Sequence, residues 1–242
     1  SINNARILKM SNIRLKTDLT TIKNLRESGK RLADVLNKIA KEAKPGISLL
    51  ELDNLAYKLI TQSEKGKRDN DKAAILNYKP KGAPYAYPAT LCLSVNDQVA
   101  HGIPNNYILK DGDILSIDTC INHKGMITDS AITIAIGNIK KEDEDLISIT
   151  KKALNEGIKV AKVGNYINDI SKTIENYINK EGQKMGYNFG ILKVLAGHGV
   201  GYKVHEEPLI PNFDDGVKGV KLVEGMVLAI EPMINLGTDE VY

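Results

Sequence analysis

Cysteine, charge of one sign and long apolar runs are all scarce in this sequence. The chain has two cysteines, which are too few for a disulfide framework and predict free thiols in a reducing compartment. Lysine and arginine number 33 against 30 acidic residues, so the charge does not favour nucleic acid or an anionic membrane as a partner. No apolar run approaches the roughly 20 residues of a membrane span, and the N-terminus has no apolar signal segment. The composition predicts a soluble, cytoplasmic protein.

Apolar periodicity and turn signals predict an α+β chain. Residues 1–18 are polar and irregular, which predicts a loosely attached N-terminal arm, and the length of the chain allows one sizeable core or two small ones. Ser48 and Glu51 form a capping-box pattern, which is typical of a helix start. The predicted elements are helices beginning near Ile22, Ser48, Leu146 and Ile167 and strands at residues 91–95, 114–117 and 128–136.

The sequence repeats its own pattern at two constant offsets. The matching segments are 44–60 with 162–178, at an offset of 118, and 109–118 with 222–231, at an offset of 113. This indicates two α/β pseudo-repeats, at about 20–137 and 142–242, of which the second is incomplete. Chance agreement of apolar patterns is the alternative. If the repeat is real, Asp118 and Glu231 occupy equivalent positions.

Two acidic residues flank a predicted hairpin turn. The midpoint of Asp118 and Asp129 is 123.5, which falls inside Asn122-His123-Lys124-Gly125. We therefore expect the two acids to be directly opposed, about 4.5–5.5 Å apart at Cβ, where a divalent metal ion would offset their repulsion. Strand alternation predicts an apolar face of Leu115, Ile117, Ile132, Ile134 and Ile136 and a polar face of Ser116, Asp118, Asp129, Ala131 and Thr133.

A third carboxylate and an imidazole complete a candidate metal site. The repeat places Glu231 on the strand equivalent to that of Asp118, and His198 is flanked by Gly197 and Gly199, which permit close backbone approach. Several carboxylates and one imidazole favour Mn²⁺, Fe²⁺ or Co²⁺ and also suit Zn²⁺. A pair of such ions, about 3.5–4 Å apart, can share a hydroxide nucleophile and polarise a carbonyl. The pattern predicts metal-assisted hydrolysis.

From about residue 20 to its end, the chain resembles the type I methionine aminopeptidases. The resemblance implies that residues 19–242 form a single catalytic domain with their pita-bread fold, in which pseudo-twofold α/β halves form a central antiparallel sheet covered by helices. It depends on several motifs that occur together, in order and at family spacing. The motifs are His101-Gly102-Ile103-Pro104, the segment 113–118 that ends in Asp118, Thr128-Asp129-Ser130, the glycine-flanked His198, His205-Glu206-Glu207-Pro208 and Ile230-Glu231-Pro232-Met233.

The resemblance also implies a role for each matching residue. Glu231 would act as the acid and base that activates the water and protonates the leaving amine. His205 would stabilise the tetrahedral intermediate, and His101 would contact the substrate backbone. The substrate would be the initiator methionine of nascent proteins, and the enzyme would be a monomer in transient contact with the ribosome. The implied ligands of two divalent ions are Asp118, Asp129, His198 and Glu231.

The implied methionine pocket is apolar and partly aromatic. Tyr87 and Cys92 occupy matching positions and Tyr85 is close by, although ordinary core packing is their alternative role. Two positions depart from the family pattern. Pro84 stands where many bacterial members have tyrosine, and Val204, before His205, stands where some have phenylalanine. We expect a pocket of altered shape.

Other polar residues are predicted to be structural. His123 lies in the predicted turn and is expected to be a packed or surface histidine. Glu206 and Glu207 are expected to be loop or hydrogen-bonding residues and not metal ligands, and Asp111 and Asp113 resemble a turn before a strand.

The family's fifth metal ligand is a glutamate beyond the Glu231 segment, and the sequence ends at Tyr242, before that position. Because the missing carboxylate would bridge both ions, we expect this stretch alone to bind at least one ion weakly and to be impaired as an enzyme.

Two other functions fit parts of the same pattern. One is an Xaa-Pro peptidase of the same fold, although such enzymes tend to have a histidine where this chain has Leu195. The other is a catalytically inactive, metal-free binding module of this fold. The retained acids and histidines argue against that module, because an empty anionic cluster costs stability.

Overall fold

The structure is a computed structural model that describes residues 12–62 and 71–242. The chain divides into two compact units. The N-unit comprises Asp18–Glu144, where described, and Gly201–Val204, and the C-unit comprises residues 12–17, Asp145–Val200 and His205–Tyr242. Among the described residues, we find no helix of sufficient length and apolarity to cross a membrane. The assignment of residues 19–242 to one domain stays a prediction.

Two helices open the N-unit, as the sequence predicts. Helix α1, Leu19–Glu42, begins after Asp18, whose carboxylate accepts a hydrogen bond from the backbone N–H of Thr21 at 2.9 Å. Helix α2, Leu49–Thr61, begins with the predicted capping box, because the Ser48 and Glu51 side chains each bond the other residue's backbone N–H.

The N-unit sheet is antiparallel and centred on one long strand. Strands β1 (Lys72–Ala73) and β2 (Cys92–Val95) pair with the two ends of β3 (Ile114–His123), and β4 (Met126–Ala135) pairs along its whole length. One face of this sheet forms a core with α1 and α2. That core includes Leu32, Leu36, Leu52, Leu93, Leu115 and Ile117, each of which stabilises the fold by about 1.5–3 kcal/mol when fully buried.

The register of the β3–β4 hairpin corrects one prediction. Asp118 pairs with Ala131, and Asp129 pairs with Cys120, so the two acids are diagonal neighbours and are not directly opposed. The cause is the position of the turn, which consists of Lys124 (φ 51°) and Gly125 (φ 85°). Positive φ at both central residues is the geometry of a two-residue hairpin turn, and glycine adopts it without steric cost. Both acids still point to the polar face, as predicted.

The C-unit has two longer helices and five short strands. Helix α3 is Lys141–Val160, whose first four residues belong to the N-unit, and α4 is Ile167–Met185. In the core of the C-unit, Ile210 of the sheet packs with residues of these two helices, which are Ile149, Ile170, Ile174 and Ile178. The strands are β5 (Phe189–Ile191) paired with β9 (Ile234–Leu236), and a sheet in the order β7 (Glu206–Ile210), β6 (Gly197–Gly199), β8 (Leu228–Ala229).

The two sequence offsets recur in backbone hydrogen bonds. In each unit, the residues at the start of the second helix and just before it donate backbone hydrogen bonds to a loop. In the N-unit that loop precedes the Gly112 turn, and in the C-unit it precedes the Gly225 turn. The equivalent bonds are Gly46 N to Leu109 O (2.8 Å) and Gly164 N to Leu222 O (3.0 Å), then Leu49 N to Tyr107 O (3.1 Å) and Ile167 N to Val220 O (3.0 Å). Each pair is related by 118 residues on the donor side and 113 on the acceptor side. The sequence repeat therefore corresponds to a repeat of structure.

The prediction of a loosely attached N-terminal arm is partly wrong. Residues 1–11 lie outside the described residues, but Lys16 is only 4% exposed within the C-unit. Its backbone N–H donates to the carbonyl of Gly225 at 2.7 Å, and its ammonium forms an ion pair with Glu206. These two contacts show that the segment is not loosely attached at Lys16. The ion pair also accounts for the burial of Lys16, because a buried lysine needs an anionic partner.

Candidate functional site

Asp118 and Asp129 lie on the half-buried polar face of the N-unit sheet, each beside a cysteine. Cys92 of β2 pairs with Asp118, and Cys120 of β3 pairs with Asp129. Burial and then the charge of Asp118 raise the pKa of the Cys92 thiol to about 12. Burial, followed by the charges of Asp129 and Asp118, also raises the pKa of Cys120 well above its usual range. Both thiols therefore stay protonated beside an anionic surface that favours a cation.

His101 stands on a backbone that is held against strand β2. Its φ is 57°, a left-handed conformation that a non-glycine residue adopts at a cost in energy. The next residue, Gly102, accepts a hydrogen bond from Leu93 N at 2.8 Å, and its own N–H donates to Ser94 Oγ at 3.1 Å. The His101 side chain is exposed. The chain thus fixes the backbone and leaves the imidazole accessible.

The predicted pocket residues of the N-unit differ in burial. The hydroxyl of Tyr87 lies 2.9 Å from the carbonyl oxygens of both Leu91 and Gly102, and burial raises its pKa. Val204 is buried, whereas Tyr85 is 59% exposed. Tyr87 and Cys92 lie close enough to influence each other's ionisation, but Tyr85 is on the surface.

His198 occupies the central strand of the C-unit sheet, where its glycine neighbours are required. A Cβ at Gly197 would lie 2.4 Å from the carbonyl oxygen of Ala229 in β8. A Cβ at Gly199 would lie 2.2 Å from the carbonyl oxygen of Glu207 in β7. Any side chain at either position would therefore force β6 away from a neighbouring strand.

The two candidate ligand atoms of His198 and Glu231 face each other. Nδ1 of His198 lies 2.8 Å from the carbonyl oxygen of Gly199, which can only accept, so Nδ1 carries a proton and Nε2 is the nitrogen left to meet a ligand. Nε2 is 3.0 Å from Oε1 of Glu231, a buried atom that accepts no hydrogen bond from the described residues. When the ring is neutral, both atoms are acceptors, and a cation between them removes their repulsion.

The distance between these atoms fits a metal ion. Two bonds of about 2.1 Å that meet at about 90° separate the ligand atoms by about 3.0 Å. The spacing of 3.0 Å therefore accommodates one divalent ion, as it also accommodates a hydrogen bond from a protonated Nε2. Both residues lie in the C-unit. They are a histidine and a carboxylate that the sequence predicted as metal ligands.

His205 stands beside His198. The two rings meet edge to face, with their centroids 4.4 Å apart and their planes at 78°. His205 is exposed, whereas the next residue, Glu206, carries the buried ion pair with Lys16. The C-unit therefore brings together three of the predicted residues: His198, His205 and Glu231.

The residues predicted to be structural have structural contacts. His123 is 1% exposed, and its Nδ1 lies 2.7 Å from a carboxylate oxygen of Asp71, which also pairs with Arg31. Asp113 accepts hydrogen bonds from Asn96 and from the backbone and side chain of neighbouring loop residues. Glu206 is a hydrogen-bonding residue, as expected, and its partner Lys16 is distant in sequence.

Sequence reasoning missed one residue that contacts the site. Asn212 is fully buried, and its side-chain amide donates to the carbonyl oxygen of Glu231 at 2.8 Å. The available signal was a polar residue after the apolar run Leu209-Ile210-Pro211, since such a residue is buried only when it has a partner.

Comparison with known proteins agrees with this geometry. The sequence model of a family described as "Metallopeptidase family M24" matches residues 23–241. A protein of Clostridium perfringens named methionine aminopeptidase is 42% identical over 214 residues, which are 88% of this chain and 79% of that protein. The crystal structure of methionine aminopeptidase from Rickettsia prowazekii has a TM-score of 0.84 and 32% identity, covering 94% of this chain and 84% of that one.

Relatives with the rival specificity are more distant. A structure described as Xaa-Pro dipeptidase from Bacillus anthracis has a TM-score of 0.69 and 20% identity, and covers 90% of this chain but 54% of that one. At this level of identity the likeness shows a shared fold.

Proposed function

Since the chain belongs to metallopeptidase family M24, we propose that it acts as a metal-dependent aminopeptidase that removes the initiator methionine from nascent proteins. The predicted α+β pita-bread fold is confirmed by the same family and by its structural neighbours. Membership of this metallopeptidase family also implies divalent metal ions as cofactors. The relatives that carry the name methionine aminopeptidase match most of the chain and most of their own length.

The observation that supports this function best is the His198–Glu231 pair. Nε2 of His198 and a carboxylate oxygen of Glu231 face each other at 3.0 Å, a spacing that suits a shared divalent ion. We assign Asp118 and Asp129 to the same ligand set, because they share a polar sheet face and match the family motif. When bound, divalent ions supply Lewis-acid activation of a water molecule and of the scissile carbonyl.

The remaining steps belong to side chains of this chain. Glu231 accepts the proton of the attacking water and returns it to the amine that leaves. His205, exposed beside His198, donates a hydrogen bond to the oxygen that becomes negative at the scissile carbon. His101, accessible on a fixed backbone, contacts the substrate main chain. These roles follow the family motif, and the local geometry of each residue supports them.

The methionine side chain is assigned to an apolar pocket that includes Tyr87, Cys92 and Val204. The raised thiol pKa keeps Cys92 neutral, and the Tyr87 hydroxyl is occupied by backbone carbonyls. Neither group therefore presents a charge to a thioether side chain. Tyr85, which is exposed, is assigned to the rim of this pocket.

The proposal includes a setting for the reaction. The substrate is a newly made chain, so we place the enzyme in the cytoplasm, as a monomer in transient contact with the ribosome. Co-sedimentation with translating ribosomes and sedimentation of the purified chain test these two statements directly.

Hydrolysis of Met-Ala-Ser in the presence of Mn²⁺ or Co²⁺ tests the function. We expect methionine release, and a loss of about 10²–10⁴-fold in kcat for Glu231→Gln, which removes the acid–base group. The matched control is Glu224→Gln, which makes the same chemical change at an exposed position of the same unit. Cleavage of Ala-Pro in place of Met-Ala-Ser would indicate an Xaa-Pro peptidase. A protein that binds no Mn²⁺, Co²⁺, Fe²⁺ or Zn²⁺ would be a binding module.

A further inference from the structure

Glu231 lies beyond the strand that leads to it. The last paired residue of β8 is Ala229, which is opposite His198 of β6. Glu231 comes two residues later and belongs to neither β8 nor β9, so the sheet ladder does not position its backbone. A carboxylate that must meet His198 at a fixed distance therefore needs another constraint.

Asn212 supplies a hydrogen bond at this position. Its Nδ2 lies 2.8 Å from the carbonyl oxygen of Glu231, and since a carbonyl only accepts, the amide nitrogen must face it. Asn212 is fully buried, and its Oδ1 has no hydrogen-bond partner among the described residues. A buried acceptor without a partner costs stability. The Asn212 amide is therefore oriented so that its nitrogen bonds the carbonyl of Glu231, while its oxygen has no hydrogen bond among the described residues.

Helix α4 fixes the segment that carries Asn212. The hydroxyl of Ser171, which is fully buried in α4, donates to the carbonyl oxygen of Pro211 at 2.5 Å. Proline restricts its own φ, so this bond determines the direction in which the chain enters Asn212. A continuous series of contacts therefore runs from α4 through Pro211 and Asn212 to the backbone of Glu231.

The N-unit contains an equivalent series. Asp53 of α2, which is 118 residues before Ser171, accepts hydrogen bonds from the backbone of Thr90 and Leu91, both at 2.8 Å. The carbonyl of Thr90 in turn accepts a hydrogen bond of 2.7 Å from the hydroxyl of Thr119, the neighbour of Asp118. Both halves therefore link the fifth residue of their second helix, through a loop, to a candidate metal ligand or to the residue beside one. The recurrence argues against an incidental contact.

We infer that Asn212 and Ser171 are positioning residues that hold Glu231 at the distance from His198 that metal binding requires. The inference rests on the proposed function and adds residues that contact neither metal nor substrate. Loss of the Asn212 donor would leave the Glu231 backbone without this hydrogen bond. Changes of this kind behind a metal ligand typically weaken metal affinity or activity by about 10–100-fold.

Calorimetric titration of the full chain with Mn²⁺ tests this inference. Asn212→Leu keeps the approximate side-chain size and removes the donor, and we expect the Kd for Mn²⁺ to rise about 10–100-fold. We also expect kcat for Met-Ala-Ser to fall while KM stays within about twofold, because the change acts on the reacting groups. Ser171→Ala should weaken Mn²⁺ binding in the same direction by a smaller factor.

The matched control is Asn165→Leu. Asn165 is a partly buried residue of the same unit whose amide donates to the carbonyl of Val160, also at 2.8 Å, so its loss removes the same kind of bond away from Glu231. We expect Asn165→Leu to bind Mn²⁺ as the unmodified protein does, even if its unfolding temperature falls as much as that of Asn212→Leu.

Three outcomes separate the claims. If the unmodified protein binds no divalent ion, the proposed function is wrong. If it binds Mn²⁺ and folded Asn212→Leu binds equally well, the positioning role is refuted. If Asn212→Leu does not fold, Ser171→Ala decides, and Mn²⁺ affinity equal to that of the unmodified protein refutes the role.

Discussion

Replacing Gly102 with alanine tests how closely the backbone next to His101 must approach strand β2. A Cβ at this position would lie 2.2 Å from the carbonyl oxygen of Leu93 and 2.8 Å from its carbon. Real Cβ atoms essentially never come closer than 3.0 Å to such an atom. The backbone must therefore move by at least 0.8 Å, the difference between 3.0 and 2.2 Å, and the neighbouring atoms are main chain and cannot rotate away.

This displacement has a calculable consequence. It would stretch the hydrogen bonds that join Gly102 to Leu93 N and to Ser94 Oγ, which are now 2.8 and 3.1 Å long. Overpacking of this kind typically costs about 1–3 kcal/mol of folding stability. A misplacement of about 1 Å in a positioned group can lower the rate by about 10²-fold, so we expect kcat/KM for Met-Ala-Ser to fall about 100-fold. Metal affinity should not change, because His101 is not a proposed ligand.

A double-mutant cycle assigns the effect to His101. If Gly102→Ala acts by moving the imidazole, it should have little further effect on kcat/KM in a His101→Ala background. Fully additive losses would refute the reasoning. Gly29→Ala is the control, because its new methyl group would meet only Thr128 Cγ2, at an ordinary 3.9 Å. In helix α1 that change should raise stability by about 0.5–1 kcal/mol, measured by urea unfolding.

Three further predictions concern buried charges and thiols. Lys16→Met removes the ammonium beside the buried Glu206 carboxylate and should lower the free energy of unfolding in urea by about 3–5 kcal/mol, with partial recovery when Glu206→Gln is added. Asp71→Asn, which removes a charge 2.7 Å from His123, should cost about 1.5–3 kcal/mol in the same assay, and an unchanged midpoint would contradict it. Cys92, with a thiol pKa raised to about 12, should react slowly with iodoacetamide at pH 8, faster as pH rises, and quickly once urea unfolds the chain.

Local signals predicted the helices well. Ser48 and Glu51 are three residues apart, and their reciprocal hydrogen bonds form within one helical turn, so no distant residue is needed to recognise them. The repeat offsets were readable for a related reason. Residues such as Gly46 and Gly164 recur at one offset because each unit uses them in the same backbone hydrogen bond.

Contacts between distant segments were not readable. Lys16 and Glu206 are 190 residues apart, and a lysine in a polar N-terminal stretch carries no sign of burial. The link from Asn212 to Glu231 is likewise set by how the chain leaves α4 and β7, which no local pattern encodes. Lys16 and Asn212 therefore contact residues of the motifs without belonging to the motifs themselves.

The hairpin error shows why the chemistry could be predicted although the register could not. Centring the turn on His123-Lys124 opposes Asp118 to Asp129, whereas the observed turn at Lys124-Gly125 opposes Asp118 to Ala131. The two registers differ by two residues on one strand, and because side chains alternate with a period of two, both place the acids on the same face. Only their separation changes, from directly opposed to diagonal, where Cα atoms are about 7–8 Å apart.

The larger separation lowers the repulsion between the two carboxylates. Directly opposed aspartates would bring two negative groups closer together, which costs stability when no ion is bound. Diagonal aspartates keep both carboxylates on the polar face, where the proposed divalent ions would bind. The glycine that sets this register, Gly125, adopts φ 85° in the turn. Turn chemistry, four residues from Asp129, therefore determines the spacing of the acids that the proposed hydrolysis requires.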